Sequence, residues 1–169
     1  MVKVGVFWDY ENCQPPKGMS GERVVAGIRE SLRDCGHIVQ FKSYLEVSAM
    51  KGADLHAELT MAGVSLVLCP PQGKKETADS MIVADMMAFC LDHPAPAIIV
   101  LISGDGDFAY PLSRMNDRQY TILLIINNET AVETLRNPAI DVIDWRQLLD
   151  GGELRHRNGY FSGNPISTK

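Results

Sequence analysis

The sequence has little that would mark a secreted, membrane-bound or thiol-dependent protein. Cysteine is scarce: Cys13, Cys35, Cys69 and Cys90 are the only four in 169 residues, and none are spaced as CxxC. With no histidine cluster to complete a set, this argues against a zinc finger or a disulfide scaffold. Cys69 and Cys90 lie in apolar contexts and read as small core residues, so free thiols in a reducing compartment are expected. No apolar run is long enough to span a bilayer. The N-terminal "MVKVGVFWDY" meets an acid before a signal-peptide core develops. These absences lead to the expectation of an intracellular, cytoplasmic protein with no membrane partner.

Other chemistries are missing too. No GxGxxG follows the first apolar run and no GxxxxGK[ST] occurs, which removes the common nucleotide cradles. No GxSxG elbow is present, and His37, His56, His93 and His156 show no ligand spacing. Positive charge is also in deficit, with a formal net charge of −5. Taken alone, that weighs against a general nucleic-acid binder, because phosphate contacts need Lys and Arg. The objection weakens if several acids are gathered in one pocket to hold divalent cations.

What is present is a regular alternation of strand-like and helix-like segments. Apolar runs at 3–8, 64–70, 97–102 and 120–127, the period-two stretch 38–47 and a short run at 141–145 read as strands. Between them, 21–36, 51–63, 76–93, 108–119 and 129–137 carry helical periodicity, with a last turn at 146–150. Gly36 is placed as the C-cap of the first helix. Pro111 falls in a first helical turn, where proline is tolerated. Alternation of this kind predicts an α/β fold, with helices on both faces of a mostly parallel sheet. The Met81, Met86 and Met87 segment reads as adaptable core packing. The length and the 46% hydrophobic content suit one domain over 1–150. The Gly-, Asn- and Ser-containing stretch 151–169 reads as a flexible tail or linker.

Two of the strands end in acid. "VFWDYEN" carries Asp9, and "SGDGDF" at 103–108 carries Asp105 and Asp107 directly after "AIIVLI". Asp79 falls in the first turns of the helix that follows the 64–70 strand. In an open α/β sheet ligands bind beyond the carboxyl ends of the strands, so these four carboxylates converge on one rim. Each alone also reads as an ordinary turn residue or a helix N-terminal acid. Together they repel one another, and a hard divalent cation relieves that repulsion. Mg²⁺ or Mn²⁺ held by Asp9, Asp79, Asp105 and Asp107 is therefore the expected cofactor, able to activate water against a phosphate. Asn12 and Ser103 are placed to orient a carboxylate or a metal-bound water, a turn or cap role being the alternative. Asp85 aligns on the helical wheel with Ala78, Ile82 and Phe89. It reads as an acid supporting the site, as a remote ligand, or as a residue hydrogen-bonded within the core. Lys74 and Lys75 precede the Asp79 helix and are placed to meet a substrate phosphate, a solvated pair being the alternative.

"VGVFWDYENC", "KKETADSMIVADMM" and "LISGDGDF" together resemble the NYN domains of the PIN-like nuclease superfamily. The stretch "HPAPAIIVLISGDGDFAYPLSRM" resembles the limkain-type branch that contains the meiosis regulator and mRNA stability factor. The resemblance spans about residues 3–150. It implies a three-layer α/β/α fold of Rossmann-type topology and Mg²⁺- or Mn²⁺-dependent hydrolysis of RNA phosphodiesters. The family's metal acids fall on Asp9, Asp79, Asp105 and Asp107, its first-motif Asn on Asn12 and its small hydroxyl on Ser103. Asp85 matches a second helical acid found in some branches. Both acids of the DxD pair are kept, which favours activity over binding alone. The expectation is an endonucleolytic ribonuclease that prefers single-stranded RNA, because A-form duplex is stiff and little electrostatic affinity is available to hold it. Lys74, Lys75 and Arg114 would guide the strand, and further RNA-binding modules would belong to a longer parent chain. The rival readings are a catalytically weak RNA-binding module and a small-nucleotide phosphohydrolase.

Overall fold

The computed structural model describes residues 1–15, 18–46, 53–70, 77–127 and 131–149. Lys74, Lys75 and the 151–169 segment lie outside the described residues. The chain runs β1 (Lys3–Asp9), α1 (Gly21–Ser31), β2 (His37–Glu46), α2 (Ala53–Met61), β3 (Ser65–Cys69), α3 (Thr77–Asp92) and β4 (Ala97–Ile102). A 3₁₀ turn (Gly106–Phe108), α4 (Ala109–Asn116), β5 (Thr121–Ile126), a second 3₁₀ turn (Glu133–Arg136), β6 (Asp141–Asp144) and α5 (Trp145–Leu149) follow.

Among the described residues the six strands are all parallel and lie in the order β3-β2-β1-β4-β5-β6. Parallel strands need helical crossovers, and these cover both faces of the sheet. On one face Val4, Val6 and Trp8 of β1 meet Val24, Val25, Ile28 and Leu32, with Trp145 and Leu148 beyond them. On the other, Phe7, Ile99, Leu101 and Leu124 meet Ile82, Met86 and Phe89 of α3 and Leu112 and Met115 of α4. The two sets alternate along each strand, as the pleat requires. Strand β4 is buried at all six positions. At about 1.5–3 kcal/mol for each buried aliphatic side chain, that strand alone outweighs the cost of crowding a few carboxylates at its tip.

The strand order reverses between β1 and β4. That reversal opens a crevice at the carboxyl ends of those two strands, where open α/β sheets bind their ligands. Asp9 is the last residue of β1, and Ser103 is the first residue after β4.

Three local expectations change. Helix α1 stops at Ser31, its cap being Leu32, so Gly36 does not close it. Gly36 instead lets the chain pass the start of β1, where a Cβ would lie 2.4 Å from the Val2 carbonyl oxygen. Within the expected helix at 129–137, the described residues form only a 3₁₀ turn over Glu133–Arg136. Ala131 and Val132 are drawn against the loop after β4, and the Val132 amide donates to the Gly104 carbonyl at 3.1 Å. Of the methionines assigned to the core, Met86 is buried but Met87 is exposed on the outer side of α3.

Candidate metal centre

The tip of β1 is fixed by its own turn. The Cys13 amide donates to the Asp9 carbonyl at 3.1 Å, and Trp8 Nε1 donates to the Cys13 carbonyl at 2.8 Å. The Tyr10 amide continues the ladder to Tyr44 at 3.1 Å. This turn brings Asn12 back over the strand end, where its Nδ2 donates to Asp9 Oδ2 at 2.7 Å. Ser103 Oγ donates to the same oxygen at 2.7 Å from the tip of the neighbouring strand. Asp9 is 1% exposed and Ser103 is fully buried. Burial lifts the Asp9 carboxyl above its usual range. The Ser103 and Asn12 hydrogen bonds oppose that shift, and the nearby Asp105 charge adds to it.

Ser103 also organises the acidic loop. Its Oγ accepts from the Asp105 amide at 3.1 Å, and Asp105 Oδ1 accepts from the Asp107 amide at 3.0 Å. The short polar side chains thus take up amides that the end of β4 leaves free, a local alternative to strand pairing. The loop is braced from behind by the 131–134 segment. A Cβ on Gly104 would stand 3.1 Å from Ala131 Cα, and one on Gly106 would stand 3.1 Å from Val132 Cγ1. Glycine is what lets these two segments touch.

The outcome is a trio: Asp79 from the first turn of α3 and Asp105 and Asp107 from the loop after β4 each bring a carboxylate oxygen within 4.8 Å of the other two. Asp79 and Asp105 are half-buried and Asp107 is exposed. At that spacing each pair of charges repels by about 1 kcal/mol in water and about 3 kcal/mol in the medium near a protein surface. An all-oxygen donor set suits a hard divalent cation. Asp9 is not a member of this close trio. It lies beside it, buried, and tied to it through Ser103 and the charge of Asp105.

Asp85 stands apart from the trio. Its Oδ2 accepts from Lys42 Nζ at 2.9 Å and from the Tyr44 hydroxyl at 2.6 Å. Lys42 and Tyr44 are two residues apart on β2, hence on one face, and Tyr44 is the register partner of Asp9. Sequence reasoning did not identify these two partners. The signal was available in the alternation of β2, but it becomes legible only once α3 is known to cover that face.

Thiol chemistry has no support here. All four cysteines are free, and burial pushes the Cys13 thiol up to about 12 and the Cys35 thiol up to about 11. Such thiols are poor nucleophiles and poor metal ligands near neutral pH. No helix among the described residues is long and apolar enough to cross a membrane.

Comparison with known proteins identifies the family and the fold. The family model for the NYN domain matches residues 3–149. Proteins described as meiosis regulator and mRNA stability factor 1 from Xenopus tropicalis, Bos taurus and Mus musculus are each 30% identical over 146 residues, covering 86% of this chain. The chain spans only 8–9% of the length of those relatives. A crystal structure of a protein of unknown function from Vibrio parahaemolyticus shares the fold, with a TM-score of 0.69 at 18% identity over 85% of this chain and 92% of that one.

Proposed function

The chain belongs to the NYN domain family, and on that premise we propose that it is a divalent-metal-dependent ribonuclease that cleaves single-stranded RNA endonucleolytically. The observation that carries the reading is the Asp79–Asp105–Asp107 trio, set at the point where the strand order reverses. Asp79, Asp105 and Asp107 would hold Mg²⁺ or Mn²⁺, with Asp9 as the buried fourth acid beside them. When bound, the ion supplies Lewis-acid stabilisation of the phosphate and a water of lowered pKa.

The chain's own residues do the positioning. Ser103 links the two strand tips by donating to Asp9 while accepting from the Asp105 amide. Asn12 keeps the Asp9 carboxylate in place. Asp85 supports the fold beside the site: it accepts from Tyr44, the neighbour of Asp9 on β2, and neutralises Lys42. Lys74 and Lys75 contact substrate phosphates, so replacing both with Ala weakens RNA binding and flattens its salt dependence. The active unit is residues 1–150 of an intracellular, cytoplasmic protein. Removing 151–169 leaves activity and melting temperature unchanged.

The test is cleavage of an end-labelled single-stranded RNA with Mn²⁺, with EDTA, and with Asp105→Asn protein. Internal cuts that vanish in EDTA and in the variant are expected. RNA bound but left intact by the wild-type protein would instead favour a binding module of an RNA regulator. Faster turnover of mononucleotides than of RNA would favour a phosphohydrolase.

A further inference from the structure

From the acidic trio one helical surface leads outward. Asp107 lies in the 3₁₀ turn that runs directly into α4: Phe108 and Ala109 at the junction both have right-handed helical backbone. Side chains three, four and seven residues apart therefore share a face. That face presents Asp107, Tyr110 and Arg114, all exposed, while Phe108, Leu112 and Met115 are buried on the opposite side. Tyr110 is 75% exposed and contributes to neither core cluster. Most of its ring is therefore open to solvent beside the acidic rim.

Arg114 follows one turn later. Its Nη1 donates to Asp117 Oδ2 at 2.8 Å, with both side chains more than half exposed. Such a surface pair contributes little to stability, so Arg114 can exchange Asp117 for a phosphate at small cost. Along the helix the rise from Asp107 is about 5 Å to Tyr110 and about 10 Å to Arg114, so the three side chains follow one another along one line.

We infer that this face of α4 is the subsite for the nucleotide flanking the scissile phosphate, with Tyr110 stacking on its base and Arg114 holding the next phosphate. The inference rests on reading the acidic trio as the RNA cleavage site. Stacking on an aromatic platform accepts any base and needs that base unpaired. The subsite would thus select single-stranded over duplex RNA and show little sequence preference. Its single cation, Arg114, fits a chain of net charge −5, in which stacking supplies affinity that phosphate contacts do not.

The test is fluorescence anisotropy of a labelled single-stranded RNA, and of an abasic oligomer of the same length, bound to the intact chain in EDTA. Tyr110→Ala is expected to weaken binding of the RNA about tenfold and to leave binding of the abasic oligomer unchanged. Tyr110→Phe retains wild-type affinity. Arg114→Gln weakens both oligomers alike and lowers the salt slope by about one. Melting temperatures stay at the wild-type value, since both side chains are exposed. Equal loss on both oligomers in Tyr110→Ala, no loss on RNA, or an unchanged salt slope in Arg114→Gln would overturn the assignment. Cleavage without a Tyr110 effect refutes the subsite alone. Tyr110-dependent binding by a protein that never cuts refutes the nuclease reading alone, and no RNA binding at all refutes both.

Discussion

Asp85 and Asp79 of the Asp79–Asp105–Asp107 trio belong to the same helix and stand in different company. At Asp85 a single carboxylate oxygen meets an ammonium at 2.9 Å and a phenol at 2.6 Å. The negative charge is answered by groups of the chain itself. At the trio three carboxylates from two separate segments approach within 4.8 Å, and the donors named above, Asn12 and Ser103 to Asp9 and the Asp107 amide to Asp105, are uncharged. Neutral donors orient a carboxylate without cancelling its charge. Asp85 is paired within the fold, whereas three carboxylates this close together form an all-oxygen donor set that a hard cation can use.

Substitutions sharpen that contrast, and the largest effect belongs to the trio. Asp105→Asn or Asp79→Asn removes an ion ligand, and losing several kcal/mol of charge stabilisation corresponds to a fall of about 10²–10⁴-fold in cleavage rate. Single-turnover assays in Mn²⁺ would measure it. Asp85→Asn should leave the same rate within about twofold, since the Asp85 carboxylate meets Lys42 and Tyr44 rather than the trio. Equal losses for Asp85→Asn and Asp79→Asn at normal stability would erase the distinction.

Next in size are the two glycines of the acidic loop. Gly106→Ala drives a methyl against Val132 Cγ1, a side-chain atom, whereas Gly104→Ala meets the Ala131 backbone. Both should weaken Mn²⁺ binding about tenfold, the lower end for residues that orient ligands. Adding Val132→Ala should restore much of the affinity to Gly106→Ala and none to Gly104→Ala. Restoration of both, or of neither, would show that the 131–134 brace does not set the loop.

For Asp85 the effect is on stability. Asp85→Asn leaves Lys42 without its counter-charge, but the pair is 30% exposed on each side, so the loss is set at about 1–2 kcal/mol. A fall of roughly 2–8 °C in melting temperature is expected for a chain of this size.

The smallest effect is at Asp9. Burial lifts its carboxyl above the ordinary 3.8, so the ionised form costs the fold stability at neutral pH. The cost vanishes below that ordinary value, where folded and unfolded chains are both protonated. In EDTA, Asp9→Asn should therefore raise the melting temperature near pH 8. The advantage should disappear as the pH is lowered through the carboxylate range. A gain that persists in acid would assign the change to packing instead of charge.

Much of this was legible in the chain. Apolar runs ending in Asp9 and in "SGDGDF" announced buried parallel strands with acid at their tips. The reversal of strand order at β1 and β4 then explains why those two tips meet. The illegible parts share one cause, which is that contacts between distant segments overrode local pattern. The 129–137 periodicity is helical, yet docking of Ala131 and Val132 on the glycines of the acidic loop leaves only a 3₁₀ turn at Glu133–Arg136. Asp85 fell among core positions on the helical wheel, but its partners lie on β2, more than forty residues away in sequence. The close trio excludes Asp9 for a related reason: the turn at Asn12 and the Ser103 hydroxyl hold that carboxylate down in the sheet.

The contrast between the two acid sites is tested most directly by Mn²⁺ titration, followed by electron paramagnetic resonance, of the wild-type, Asp105→Asn and Asp85→Asn proteins. Saturable binding by wild type and Asp85→Asn with the same affinity, and its loss in Asp105→Asn, is the expected result. Undiminished binding by Asp105→Asn, or no saturable binding by the wild-type protein, would contradict the assignment of the trio as a cation site.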